Sequence, residues 1–380
     1  MLIFLLIVLS VHSLVNFYIF YKGWHGLELH RGLRPYYIGV FVFFFLAYIV
    51  ARISENFGHT VITEILNWSG SFWFAAMLYF FFIILFIDII RLANHWIHFL
   101  PAGFYVDYAK TKFITLVSAF SLVALLILYG YINASIVRIK TLDITINKKV
   151  KNHTSLNVVL LSDLHLGTII GPNKLGRIVE KINILKPDIV LLAGDVVDEN
   201  IKPVIKKNLG ALLENIVAKY GVYAITGNHE FIGGVGPAVA YLEKHKITYL
   251  RDTAVLIDSA FWLVGRNDKD MVRFTGKQRK HLEELMSTVD KSFPIILLDH
   301  QPFNLEQAAA AGVDLQLSGH THNGQMFPLN LITQAIYHPD WGYRKINDTQ
   351  FYVSCGVGTW GPPLRIGNHP EIVNIRIAFK

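Results

Sequence analysis

Of the chain's 380 residues only one, Cys355, is a cysteine. This excludes an intrachain disulfide framework and any cysteine-rich zinc site. The residue lies in the apolar stretch "FYVSC" and reads as a small core side chain. Charge is also scarce: Asp, Glu, Lys and Arg make up 17% of the sequence, against about 25% in an ordinary soluble domain. The basic excess is modest, 35 Lys and Arg against 28 Asp and Glu, and the clusters "KKVK" (148–151) and "KQRK" (277–280) are short enough to be solvated faces. A sustained basic stripe with interleaved aromatics is missing, so no nucleic acid is expected as a partner. Internal repeats and low-complexity runs are missing too.

Apolar side chains are abundant instead, at 53% hydrophobic and 13% aromatic. Four runs, roughly 1–21, 35–53, 71–90 and 113–132, match the ~20 residues a helix needs to cross a bilayer. The first run has neither a basic start nor a small-residue cleavage site, and so reads as a span rather than a removed signal peptide. Tyr18, Trp24, Tyr36, Trp68, Trp96 and Tyr105 gather near the run ends, as interfacial aromatics do. Residues 1–134 are therefore expected to form an α-helical four-span membrane domain, with the lipid bilayer as partner. Lys22, Arg31 and Arg34 in the first loop, and Arg91, Lys110 and Lys112 in the third, outnumber Arg52 in the second. That count puts loops one and three in the cytoplasm and the C-terminal domain outside it, although Arg138 and Lys140 argue the other way. The segment "LANHWIHFLPAGFYVDYAK" (92–110) reads as interfacial, and its His95 and His98 fit interfacial polar side chains better than a metal pair. Short sequons at Asn67, Asn133, Asn152 and Asn347 are explained by chance.

From residue 135 to 380 the texture changes to short apolar strands alternating with helical stretches, which is the pattern of an α/β domain. "NVVLLS", "DIVLLAG", "VYAITG", "FWLVG", "IILLD" and "DLQLSG" read as buried strands, and 174–185, 202–217, 237–246 and 276–289 as helices. The ends of these strands carry one kind of residue again and again. Asp163 and His165 follow "LLS", Asp195 and Asp198 follow "LLAG", and Asn228 and His229 follow "AITG". His300 follows "IILLD", and His320 and His322 follow "LQLSG". Ligand sites in open α/β sheets lie at the carboxyl ends of strands. Imidazole with carboxylate and no thiolate suits Zn, Mn or Fe rather than Ca or an iron–sulfur cluster. Seven candidate ligands are too many for one tetrahedral ion and suit two ions sharing a carboxylate.

The order Asp-x-His, Gly-Asp-x-x-Asp, Gly-Asn-His-Glu, His, Gly-His-x-His resembles the calcineurin-like metallophosphoesterases, from about residue 155 to 380. "SGHTHNGQMFP" and "YVSCGVGTWGPPLRIGNHPEI" are similar to the membrane-attached bacterial subgroup of that superfamily. The resemblance implies an α/β/β/α sandwich and two divalent transition-metal ions. It places one ion on Asp163, His165 and His322 and the other on Asn228, His300 and His320, with Asp195 bridging. It makes His229 a contact to the phosphoryl group or the acid that protonates the leaving oxygen. Glu230 is expected to orient His229 or a neighbouring group, with Asp198 close by.

"GVGTWG" (356–361) matches a dinucleotide fingerprint, but Pro362 and Pro363 follow where a helix should open. It reads as a rim loop, with Arg365 a candidate anion contact and Arg266 and Arg273 weaker ones. The stretch "FIGGVGPAVAYL" (231–242) is either a lid beside the metals or, more simply, a helix packing face. Four spans exceed what a tether needs, which favours a lipid-linked phosphate or diphosphate as substrate. A UDP-diacylglucosamine-type pyrophosphohydrolase and a broad phosphoesterase merely tethered to the membrane are the alternatives among enzymes. A transporter or receptor with a metal-stabilised domain is the alternative outside them, disfavoured by the few ionisable residues in the spans. The expected location is the plasma or inner membrane of a bacterium.

Overall fold

A computed structural model describes residues 2–55, 58, 60–151 and 153–380; the Asn152 sequon lies outside them. By packing, Met1–Tyr131 with Gly361–Pro363 form one unit, and Ile132–Trp360 with Leu364–Lys380 the other.

The first unit is helical because its apolar runs are long and carry no internal proline. Helices α1 (Leu2–Gly26), α2 (Arg34–Ser54) and α3 (Val61–Ile97) are followed by the single turn α4 (Gly103–Val106) and by α5 (Tyr108–Ser135). Four of them are long and apolar enough to cross a membrane. Helix α3 has 37 residues and overruns the expected 71–90 at both ends. Its start is set by Thr60, whose hydroxyl accepts the Thr63 amide. It ends only at His98, which adopts left-handed backbone ahead of Pro101. Helices α2 and α3 approach closely over small residues. A Cβ at Gly70 would meet the Tyr48 backbone nitrogen at 2.6 Å, and Ala47, Ala51, Ala75 and Ala76 are buried beside it. Val40, Phe43, Val50, Phe86, Phe120 and Leu125 point outward, exposed, as side chains facing lipid do. His95 packs edge-on against Trp96, and among the described residues the clusters able to hold a metal all lie in the second unit.

The second unit contains two six-stranded sheets. In the first, β2 (Ser155–Leu161), β3 (Ile189–Leu192), β4 (Val222–Ala224) and β5 (Ile247–Tyr249) run parallel. β12 (Glu371–Phe379) pairs antiparallel with β2, and β1 (Arg138–Ile146) completes that edge. In the second sheet, β7 (Phe261–Gly265), β8 (Ile295–Leu298), β9 (Leu315–Ser318) and β11 (Thr349–Val353) are parallel. Its edges β6 (Thr253–Ile257) and β10 (Gly342–Ile346) are antiparallel. Strands covered on both faces must be apolar at every position, hence runs such as "VVLL" and "IILL". Val158, Leu160, Ile189 and Leu191 meet Leu263, Ile296, Leu298 and Leu315 between the sheets. The outer face of the first sheet buries Val159, Leu161, Val190 and Leu192 under helix α6 (Pro172–Ile184) and its neighbours. Ile295 and Leu297 pack outward on Leu282, Leu285 and Leu305. This is the expected α/β/β/α sandwich.

Two helical expectations change. The 202–217 stretch breaks into α7 (Ile201–Lys206) and α8 (Leu209–Leu213) because Asn208 between them is left-handed. Of 276–289 only Leu282–Met286 is helical. Left-handed Gly276 closes the preceding turn, and Arg279 is drawn to Asp299 (2.7 Å) and to the Asn267 carbonyl. Helix periodicity in the sequence is outweighed there by burying a carboxylate that needs its cation. Of the sequon residues, Asn67 and Asn133 are buried and hydrogen-bonded.

Candidate metal centre

Five strands, three of the first sheet and two of the second, end just before a chemically active residue. β2 delivers Asp163 and His165, β3 delivers Asp195, and β4 runs into α9 (Asn228–Gly233) and its first residues Asn228 and His229. From the second sheet β8 delivers His300, and β9 delivers His320 and His322. The two sheets therefore bring their carboxyl ends to one place. The backbone there is strained. Asp163 (φ 53), His165 (φ 48), Asp195 (φ 50), His320 (φ 73) and His322 (φ 49) all occupy the left-handed region, which costs a non-glycine residue about 1 kcal/mol or more. Hydrogen bonds across the strand ends hold them so, among them Asp163 N–H to the Gly194 carbonyl (3.1 Å) and His165 N–H to that of Asp195 (3.0 Å). The glycines that precede Asn228 and His320 are there for space. A Cβ at Gly227 would meet Asp195 Oδ1 at 2.1 Å, and one at Gly319 would meet Asp163 Oδ2 at 2.5 Å.

Three groups of carboxylate and imidazole result: Asp163, His165 and His322; His165, Asp195 and His229; Asp195, His300 and His320. In each group the ligand atoms lie within 4.8 Å of one another. His165 Nε2 and His322 Nε2 face each other at 3.1 Å, with Asp163 Oδ1 3.5 Å from the latter. Asp195 Oδ2 lies 3.1 Å from His300 Nε2 and 3.9 Å from His165 Nε2, between the outer groups. Asn228 Oδ1 is 2.9 Å from His320 Nδ1. All seven candidate ligands thus converge.

The donor set fits metal ions. His300 Nδ1 donates to the Ala193 carbonyl (2.7 Å), which aims Nε2 at Asp195. Burial alone would lower the pKa of this ring, but the Asp195 carboxylate holds it well above the usual imidazole range, so Nε2 carries a proton that a cation sharing Asp195 would displace. That Nε2 is buried without a hydrogen-bond partner, a position that a metal ion would satisfy. Nδ1 of His165 faces Asp198 Oδ1 at 3.5 Å and leaves Nε2 of that ring to the group with His322. Burial and the charge of nearby His300 bring His320 down to about 3. Burial and the Arg365 guanidinium hold His322 far below the usual imidazole range. Both rings are thus kept neutral, the form a metal binds.

His229 differs from the others. Its amide donates to Asp195 Oδ1 (2.8 Å), while its ring Nδ1 lies 3.1 Å from Asp198 Oδ1. Burial alone would lower its pKa, but Asp195 and Asp198 outweigh burial and raise it to about 9. A cation sharing Asp195 would draw that value back toward neutrality. The carboxylate beside the His229 ring is therefore that of Asp198, and of the two roles expected for Glu230 its contacts fit the second, a neighbouring group. The buried Glu230 carboxylate accepts the amides of Gly227 (2.7 Å), Val197 (2.9 Å) and Asp195 (3.2 Å), and so shapes the loop that carries Asp195.

Arg365 is 0% exposed, and its guanidinium faces inward. It donates to the carbonyls of His322 (3.1 Å), Gly358 (2.7 Å) and Gly356 (3.2 Å), and Nη2 lies 3.2 Å from His322 Nδ1. It clamps the "GVGTWG" loop over Asp163, whose carbonyl accepts the Gly358 amide (2.9 Å). Arg266 is likewise unavailable to an anion, being buried against Asp299 (2.8 Å), while Arg273 is exposed. At the rim, Trp360 is 55% exposed and edge-on to the His229 ring. Val239 and Leu242 of the 231–242 stretch pack into the core, so that segment is a helix face; only Ile232 of its large apolar residues near His229 is exposed. Sequence reasoning missed Asn368, whose side chain donates to the His322 (3.1 Å) and Asn323 (2.8 Å) carbonyls. An asparagine in a loop gives no signal of the backbone groups it serves.

The model of the calcineurin-like phosphoesterase family matches residues 156–324. A metallophosphoesterase of Aquifex aeolicus is 31% identical over 254 residues, covering 66% of this chain and 96% of that one. The chain belongs to the calcineurin-like phosphoesterases, a family that implies a dinuclear divalent metal site. Among particular relatives, a metallophosphoesterase of Helicobacter pylori is 34% identical over 231 residues, 59% of this chain and 60% of the other. A transmembrane protein with metallophosphoesterase domain from Danio rerio is 32% identical over 280 residues, 70% of this chain and 63% of the other. The matched region thus spans less than two thirds of these last two relatives, 60% and 63%.

Proposed function

We propose that the protein is an integral membrane phosphoesterase that hydrolyses a phosphoester or pyrophosphate bond of a lipid-linked substrate, using two Mn, Zn or Fe ions. The observation that supports hydrolysis is Asp195, shared by two groups of imidazole and carboxylate and facing the buried Nε2 of His300. When bound, the two ions supply Lewis acidity and a water that ionises near neutral pH. Asp163, His165 and His322 would hold one ion and Asn228, His300 and His320 the other, with Asp195 available to both. His229, its Nδ1 taken by Asp198, presents Nε2 to the substrate and protonates the leaving oxygen.

A lipid substrate is supported by four helices long enough to span a bilayer and by the exposed Trp360 and Ile232 beside His229. Full-length protein in detergent, given Mn²⁺ or Zn²⁺, tests this with phosphate esters that share a headgroup and differ in acyl length. Each methylene moved out of water is worth about 0.8 kcal/mol. A rise in kcat/KM of at least about tenfold from short to long chain, roughly 1.4 kcal/mol, is expected. Equal values would leave the spans as an anchor and remove the lipid. A panel of monophosphates, diphosphates and nucleotide-linked diacyl sugars then separates the alternatives within the class.

The Lys and Arg in the first and third loops support a catalytic unit on the outer face of a bacterial plasma or inner membrane. Asn347 is exposed in the β10–β11 turn and Cys355 is buried. In a Cys355→Ala background, Asn347→Cys is expected to react with an impermeant maleimide in intact spheroplasts. Labelling seen only after lysis would reverse the orientation.

A further inference from the structure

We propose that Asn133, in the last turn of the fourth candidate span, is a positioning residue for His322, so that this turn is part of the metal-binding apparatus. The inference rests on the reading of His322 as a metal ligand. Ile132–Ser135, the last four residues of α5, group with the second unit. Within that unit the side-chain amide of Asn133, 8% exposed, donates to the carbonyls of Asn368 (2.7 Å) and Arg365 (2.9 Å). Those two residues are the ones that hold His322. Asn368 donates to its carbonyl, and Arg365 donates to the same carbonyl and to Asn368 Oδ1 (3.1 Å), with its Nη2 3.2 Å from ring Nδ1. Two steps of hydrogen bonding therefore connect the helix end to a candidate ligand. Lys174 of α6 fixes the same turn by donating to the Ala134 carbonyl (3.0 Å).

The connection matters because the turn it supports is strained. His322, Asn323 and Gln325 all have left-handed backbone, with φ of 49°, 46° and 57°. Such a turn persists only where its surroundings over-determine it. The sheet does not need Asn133 to form. Arg138 already pairs with Glu371, and its amide is bound to the Pro370 carbonyl (2.9 Å) just beyond the helix. Loss of the Asn133 amide is thus expected to loosen the 365–368 loop and the ring it aims, rather than the fold.

The test uses full-length protein in detergent, stripped of metal by a chelator and titrated with Mn²⁺ by calorimetry. Asn133→Ala removes the side chain, and Asn133→Asp keeps its shape but cannot donate to a carbonyl. Outer-layer partners of metal ligands are worth roughly 10- to 100-fold in affinity, and this one, a layer further out, is expected to weaken one of two Mn²⁺ sites by roughly fivefold to tenfold. The melting temperature of metal-free protein is expected to stay at the parent's value. Asn368→Ala is expected to weaken the same site, and the double variant Asn133→Ala/Asn368→Ala to be no worse than the poorer single one. Should alanine at 133 fail to fold, Asn133→Ser, which keeps one donor, replaces it in the cycle. Unchanged Mn²⁺ affinity in the Asn133 variants, or losses that add in the double, overturns the proposal. A parent protein that binds no Mn²⁺ would instead overturn the reading of the site itself.

Discussion

Asp195→Asn is expected to lower hydrolysis by about 10³-fold or more, on the order of 4 kcal/mol of transition-state stabilisation, and to lower the bound metal. The substitution is close to isosteric, so the fold is not at stake. The new amide keeps an oxygen to accept the His229 N–H, which now bonds Oδ1 at 2.8 Å. The change falls on the other atom. An NH₂ in place of Oδ2 stands 3.1 Å from His300 Nε2 and would donate to it, consuming the lone pair that should bind an ion. The same substitution removes a negative charge from two of the three groups, the one with His165 and His229 and the one with His300 and His320. Two effects therefore act together: one ligand is neutralised and a second is occupied. Metal analysis and initial rates on the purified variant decide the matter. A variant with the parent's metal content and near-normal turnover would sink the bridging role.

His229→Ala is expected to keep its metals and to slow turnover by roughly 10²- to 10⁴-fold, the usual worth of a general acid. The loss should depend on the leaving group. An alkoxide needs a proton as it departs, whereas a nitrophenolate leaves without one, so nitrophenyl esters should suffer least. The Asp198 contact makes a second arm of the test possible, because Asp198→Asn leaves the imidazole in place and removes the charge that orients it. That variant should show the same leaving-group pattern with a smaller loss. His229 also lies within ligand distance of His165 and Asp195. If metal content falls in His229→Ala, the ring is a ligand and the proton donor has to be sought elsewhere.

Much of this architecture is visible in the chain's composition and periodicity. Long apolar runs without internal proline read as helices in an apolar surrounding, and short apolar runs bounded by turn residues read as strands covered on both faces. The limits of such reading are equally physical. Helix α3 runs past its apolar stretch because hydropathy does not stop a helix, whereas a left-handed residue ahead of Pro101 does. The helix expected over 276–289 is mostly absent because Arg279 and the buried Asp299 meet across 20 positions of sequence, a pairing that no local period reports.

The same division holds at the metal centre. The kinds of residue at the strand ends, and hence the chemistry open to them, are properties of the sequence, since ligand type depends on side-chain chemistry alone. What each neighbour does is decided by tertiary structure. Glu230 adjoins His229 in sequence, but helix α9 turns its carboxylate onto three backbone amides, and Asp198, from another loop, reaches the imidazole. Arg365 follows a glycine-rich loop that reads as an anion cradle, yet burial commits its guanidinium to carbonyls and to His322. Asn133 lies 189 positions before His322, at the end of a helix whose composition speaks only of membrane. Hydrogen bonds depend on where donors and acceptors come to rest in space, and that placement is a property of the packed fold rather than of any window of the chain.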